Sequence, residues 1–426
     1  MRRILLINLL LIIALGLSAQ RTDSITDSIV KAQVLFDSLL VEGIREFNKP
    51  AAQGDYRKAV DALETTIILK PNNARAHYYL GYAYSRLNSN DGSKLKGNQK
   101  RLTLLASEQM EVVIRIDSAF KPELILSPYS KITSEWGSLA IRYLNDNIND
   151  SAIWAFEEGK RRGGFSDFML SYRRIQLNQC SQNAILFSYG DDSFWNLLYL
   201  QTVENYRNDI AVIDMGLINA MWYQLFLKSN EVVKFTPAVQ NEVRYYLVSW
   251  SDTIIKVPIK NSNQVYSWNF QSHGSYPYYI YAGDVAIQSI VIQNRFQRDI
   301  YLTVGMPRSV HYNLFYNFED QVLINKFNPM GKSFLSTDLF NNLAKKVLNI
   351  APSYNDNSPE EGQEIDNIRL SIMSRIYSDW SSTDNKENAK YLINLLLKDL
   401  PEQRYPIKKE TKIMLDQLKL VVLDDY

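Results

Sequence analysis

Between Asn183 and Tyr223 the chain reads as strand, helix, strand, helix, and this stretch restricts the fold more than any other. Ala184 to Tyr189 is an apolar run too short for a helix. It ends at Gly190 and is followed by the polar pair Asp191 and Asp192, the pattern of a buried strand. Asp192 or Ser193 is placed to cap a helix whose Trp195, Leu198, Tyr199, Thr202 and Val203 recur at three- and four-residue spacing and form one face. After Asn208, Ile210 to Met215 is a second continuous apolar run. Two such strands joined by one helix imply a right-handed crossover and parallel strands buried on both faces. Ligands of such sheets sit at the carboxyl ends of the strands. Here those ends carry Gly190, Asp191, Asp192 and Asp214.

The amino terminus sets a compartment. Arg2 and Arg3, an apolar core from Ile4 to Leu17, and Ser18-Ala19-Gln20 fit a secretory signal cleaved after Ala19. With no cysteine near that point, the expected product is periplasmic or secreted rather than lipid-anchored. Removing the signal lowers the basic count from 47 to 45 against 46 acidic residues, so attraction to nucleic acid is not expected. Cys180 is the one cysteine of the 426 residues, which excludes an intrachain disulfide and points to a buried thiol. No second stretch approaches membrane-spanning length.

Upstream of the core the text is helical. Ser24 to Phe47, Asp55 to Pro71 and a helix opening at Ala76 are amphipathic, and His77, Leu80, Gly81 and Tyr84, preceded by Ala59, Leu63 and Pro71, stand at the intervals of the tetratricopeptide repeat. Trp136, Leu139, Ala140, Tyr143, Ala152, Phe156 and Gly159 form a better copy, although Gly164 stands where proline is usual. Leu102 to Ile116 supplies another second helix, after a polar insertion from Asn88 to Asn98. The resemblance covers roughly residues 25 to 165. Such repeats stack into a curved array that holds a protein or peptide partner or braces a neighbouring domain. His77, Tyr84, Trp136 and Tyr143 are the partner-binding candidates.

Downstream, Val243 to Trp250 and Thr253 to Ile259 read as strands, and Tyr266 to Tyr281 is rich in aromatics suited to sheet packing or to stacking on sugars. Asp284 caps a helix through Asn294, and Ile300 to Val304 is a third parallel strand. From Ser333 the pattern is helical again, broken by a polar loop from Pro352 to Gln363, with Ala389 to Leu400 strongly amphipathic. The expected organisation is a signal at 1–19, a TPR-like all-α region at 20–177, a Rossmann-like three-layer α/β domain with a parallel sheet at 178–330 and a helical region at 331–426.

Asn183-Ala184-Ile185-Leu186-Phe187, Gly190-Asp191, Tyr199-Leu200-Gln201, Glu204, Tyr206-Arg207, Asp209, Leu217, Asn219 and Trp222-Tyr223 resemble the soluble carboxyl-terminal portion of bacterial multi-pass membrane proteins related to protein O-mannosyltransferases. Asp284, Asn294, Arg298, Ile300 and Tyr301 extend the likeness. Departures are Ser193 where an acid is usual, Asp214 for an asparagine, and Phe296 and Asp299 for tryptophan and proline. The soluble portion has no assigned chemistry in that family and the membrane segment is missing here, so no transferase activity carries over. The resemblance implies an exported relative of an accessory domain.

Asp191, Asp192, Asp214, Asn219 and Arg298 are the ligand-binding candidates, because carboxylates at neighbouring strand ends can hold a hard cation or act as acid and base. Their alternative reading is a helix cap and a solvated turn. Gly190 permits a turn rather than cradling phosphate, since a lone glycine is far from a phosphate loop. His77, His273 and His311 lack ligand spacing, no serine stands in a nucleophile elbow, and no cofactor or metal is expected. The sequence thus favours a non-catalytic, envelope-associated binding protein; the alternative is an enzyme or receptor for sugar or phosphorylated ligands at the strand ends.

Overall fold

The computed structural model describes residues 22–50, 55–89, 99–240, 247–259, 262–272, 278–307, 318–331, 333–382 and 384–423, with side chains from residue 29 onward. The signal-like segment, the 90–98 part of the polar insertion, the 243–246 part of the strand expected from Val243, His273 and His311 lie outside these residues.

Paired helices build the first part: α1 (Thr22–Asn48), α2 (Tyr56–Leu69), α3 (Ala74–Ser89), α4 (Lys100–Ile116), α5 (Pro128–Asn145), α6 (Asn149–Arg161) and α7 (Asp167–Gln179). Their starts are chemically marked. Asp55 caps α2 by accepting the Arg57 N–H, Ser127 caps α5 ahead of Pro128, and Ser166 caps α7. Inside the stack Ala59, Leu63, Leu80, Ala140 and Phe156 are fully buried, which is the small-against-large packing that the repeat spacing predicts.

In the middle region β1 (Ile185–Ser188), α8 (Asp191–Val203) and β2 (Ala211–Asp214) follow in the expected order. β1 lies parallel to β2, from Ile185 opposite Ala211 to Ser188 opposite Asp214. A 3-10 turn (Leu217–Asn219) and α9 (Met221–Ser229) come next. β7 (Ile300–Thr303) pairs parallel to the other side of β1, as the apolar run at 300–304 predicts. The parallel expectation holds for these three strands only. β9 (Ile324–Phe327) runs antiparallel to β7, and β8 (Phe318–Asp320) antiparallel to β9, giving a mixed sheet of order β2-β1-β7-β9-β8. Strands of three or four residues interrupted by charges, Lys326 on β9 and Asp320 on the edge strand β8, leave little periodic signal.

The strand-like text from residue 247 onward stays out of this sheet. β3 (Leu247–Ser249) pairs with β6 (Tyr279–Tyr281), and β4 (Thr253–Pro258) with β5 (Val265–Phe270), in two separate antiparallel ribbons. Along β5, exposed and buried residues alternate, with Tyr266, Trp268 and Phe270 inward. The Trp268 indole N–H donates to Gln288 Oε1 at 2.6 Å on α10 (Ala282–Asn294), so this aromatic face is packed and does not offer a sugar platform. Asp284 sits at the third position of α10 rather than at its cap, where its carboxylate accepts the Tyr281 N–H at 3.1 Å.

The last helices are α11 (Thr337–Leu348), α12 (Pro359–Trp380), α13 (Lys386–Asp399) and α14 (Lys409–Leu423). α12 begins inside the span expected to be a loop, because Ser358 caps it and Pro359 occupies its first turn. One apolar core runs without a break from the helical array (Trp136, Phe156) into the sheet (Ile185, Phe187, Ile300) and β5. Gly137 of α5 marks the join: a Cβ there would lie 2.5 Å from the Trp195 ring of α8, so only glycine admits the contact. A second core gathers Phe168 and Tyr172 of α7, Val322 and Leu323 beside β9, and Ile365, Ile372 and Leu392 of the last helices.

Candidate functional site

Gly190 begins α8 in a left-handed conformation, φ 90°, and its carbonyl accepts the N–H groups of Ser193 and Phe194. The expected side-chain cap by Asp192 or Ser193 is replaced by this backbone device, which releases Asp191 and Asp192 into the first turn. The two acids then part. Asp191 lies close enough to Asp214 for their charges to repel. Asp192 turns toward the helical array and accepts the Ser130 hydroxyl of α5.

Asp214 ends β2 fully enclosed, and its Oδ1 accepts the N–H groups of Gly216 at 2.9 Å and Leu217 at 2.7 Å. Burial, reinforced by the Asp191 charge and opposed by those N–H groups, pushes its carboxyl up to about 7. Asn219 belongs to the same turn: its Oδ1 accepts the Gly283 N–H at 3.2 Å and its amide donates to the Gly216 carbonyl. These bonds fasten the 3-10 turn to α10.

Arg298 is not part of this group. Its guanidinium donates to the carbonyls of Asn183 and Ala184 at 2.5 and 3.0 Å, at the opposite end of β1. Several residues of the family resemblance sit there with it. Arg207 binds Asp209 and the carbonyls of Leu177, Cys180 and Ser181, while Asp209 accepts the Asn183 N–H at 2.9 Å. The Arg207 guanidinium holds the Asp209 carboxyl down at about 2. This polar frame closes the amino end of the sheet, and Cys180 is buried beside it with its thiol pushed up by burial.

Among the partner candidates, His77 is buried with its ring between Gln109 Oε1 at 2.7 Å and the Pro71 carbonyl at 2.8 Å. Tyr84 is buried and its hydroxyl bonds Glu64; Trp136 is fully enclosed and its indole N–H donates to Ser107. Tyr143 is half-buried against the core. The first three build the interior of the array, and the surface that meets solvent lies elsewhere. On α1 it is apolar: Val30, Val34 and Val41 share one face and are 53%, 62% and 63% exposed.

One cleft draws on residues far apart in sequence. A space of about 350 Å³ lies where α5, the turn before α7, α8 and the start of α12 meet, lined among others by Ser130, Lys160, Asp192, Asn196, Glu360 and Glu361. Glu360 reaches back to α5, accepting the Ser127 N–H at 2.8 Å and its hydroxyl at 2.5 Å. Glu361 accepts the Asn355 N–H at 2.7 Å. Burial and the neighbouring Glu360 charge push both Asp192 and Glu361 above the ordinary carboxylate range. Of this set, sequence reading reached Asp192 alone. The Ser-Pro-Glu-Glu run at 358–361 marks a helix start and gives no hint of what it faces.

Two family models match parts of the chain. Residues 51–88 match the TPR repeat, a class of stacked helical hairpins. Residues 170–241 match TMEM260-associated domain 2, which covers β1, α8, β2 and α9 and agrees with the resemblance drawn from the residues of that stretch. No curated protein matches the chain. Among the described residues no helix is long and apolar enough to cross a membrane, and no group of three histidines, cysteines or acids is placed to hold a metal ion.

Proposed function

We propose that this is an exported, non-catalytic binding protein of the bacterial envelope, in which the helical array takes a protein partner and the middle region serves as an accessory to envelope glycosylation. The TPR match carries the protein-binding reading, and the apolar stripe on α1 supports it by offering an uncovered face at the start of the array. The tie to glycosylation rests on the match to a TMEM260-associated domain, and export rests on the signal-like segment ahead of Gln20. The parallel β2-β1-β7 unit supports relating the middle region to Rossmann-like folds, with the antiparallel β9 and β8 as an added edge.

Affinity capture of the full chain from its native envelope, compared with the Val34→Glu/Val41→Glu variant, tests the reading. A partner that copurifies with the wild type, crosslinks to α1 and is lost with the variant is the expected result. Equal capture by both proteins would remove α1 as the binding face. A cytoplasmic location on fractionation would end the envelope assignment.

A further inference from the structure

The cleft between α5, α8 and α12 has a property that its helix-capping role leaves unexplained. Acids belong at helix amino termini, where they face free N–H groups, and Glu360 and Glu361 follow that rule. Asn196, one turn into α8, does not. It is 1% exposed and lines the cleft. Its Nδ2 donates to the Asp192 carbonyl at 2.9 Å, which fixes the amide orientation, and its Oδ1 receives no hydrogen bond. A buried acceptor left so costs about 1–3 kcal/mol.

The nearby cations are committed elsewhere. Lys160 donates to Asp167 at 2.9 Å, and Arg173 pairs with Glu364 and donates to the Asp192 carbonyl. We infer that the cleft binds a compact organic cation, an ammonium or guanidinium group, which donates to Asn196 Oδ1 and to the remaining lone pairs of Asp192, Glu360 and Glu361. Such a group supplies several N–H donors and one positive charge together, and the site is short of both. A polyol supplies donors without charge and leaves the crowded carboxylates uncompensated. The raised pKa values of Asp192 and Glu361 agree with that shortage. The inference is independent of partner binding by the array.

Calorimetry on the full chain at low ionic strength tests it, with ethylguanidinium, spermidine and N-acetyl-arginine amide as separate titrants and glucose and Mg²⁺ as contrasts. Saturable one-to-one binding of at least one cation is expected, weakened at least tenfold by Asn196→Ala and tightened severalfold by Lys160→Gln, which frees Asp167. Binding of ethylguanidinium assigns a small free cation, and of spermidine a polyamine. Binding of the arginine amide alone assigns a basic side chain of a polypeptide. No cation binding, affinity indifferent to both substitutions, or saturable binding of glucose or Mg²⁺ in place of the cations would overturn the assignment. Should Asn196→Ala lose its fold by circular dichroism, Lys160→Gln decides: its side chain is partly exposed, and unchanged or weaker affinity refutes the site.

Discussion

Asp214 and Asp192 stand at the carboxyl ends of neighbouring strands, one ending β2 and the other in the first turn after β1, and burial raises the pKa of both, yet they are held in opposite ways. Asp214 is wrapped by its own turn, whose Gly216 and Leu217 N–H groups lie within three residues of it. Asp192 is held from another part of the chain, by the Ser130 hydroxyl of α5, in a cleft completed by α12. The first acid finishes a local turn. The second is a joint between regions, and its surroundings change whenever those regions shift.

The largest expected effect bears on the joint. Arg173 of α7 is buried, pairs with Glu364 of α12 and reaches the Asp192 carbonyl, so Arg173→Ala leaves a buried carboxylate without its partner. A loss of about 3–5 kcal/mol is expected in chemical denaturation. A loss under about 1 kcal/mol would mean that the regions do not depend on this pair.

Asp214 provides the contrasting test, through pH. Its folded value of about 7 lies above the ordinary 3.8 of an unfolded aspartate, so between those values the folded form keeps a proton that the unfolded chain has released. Stability from this group is full below about pH 4 and declines as pH rises toward 7. The wild-type minus Asp214→Asn stability difference should therefore fall by up to about 4 kcal/mol across that window, the turn's N–H groups being already included in the folded value. A flat difference curve would show that Asp214 is ionised throughout.

Ser130→Ala removes one hydroxyl from the joint and should cost about 1 kcal/mol while raising the Asp192 pKa further, which a carboxyl-detected NMR titration would follow. Smallest of all, Val34→Glu on the exposed face of α1 should alter stability by less than about 0.5 kcal/mol. A larger loss would mean that this face is covered in the isolated protein.

How legible these places were in the sequence follows from the same contrast. β1, β2 and β7 were readable because each is a continuous apolar run set between turn residues. The repeat helices were readable through small and large residues at fixed intervals, such as Ala140 and Phe156. Asp214 and Asn219 share a turn that spacing alone brings together. The cleft was not readable, because Ser130, Asn196 and Glu360 meet only after α5, α8 and α12 have packed, and no periodicity links them. Arg298 misled for a related reason: it is close to β7 in sequence, yet its guanidinium is spent on the amino end of β1. Sequence shows which residues sit at strand ends more readily than which end they serve.

Trp195 lies in the matched 170–241 segment, yet its ring rests on the bare backbone of Gly137, well outside it. The unit that folds is therefore larger than the unit that is recognised by similarity. Excised at its matched borders, the segment would carry an uncovered indole into solvent. In this chain the tryptophan and the hollow that receives it come from different stretches of sequence, so the seam closes only when both are present.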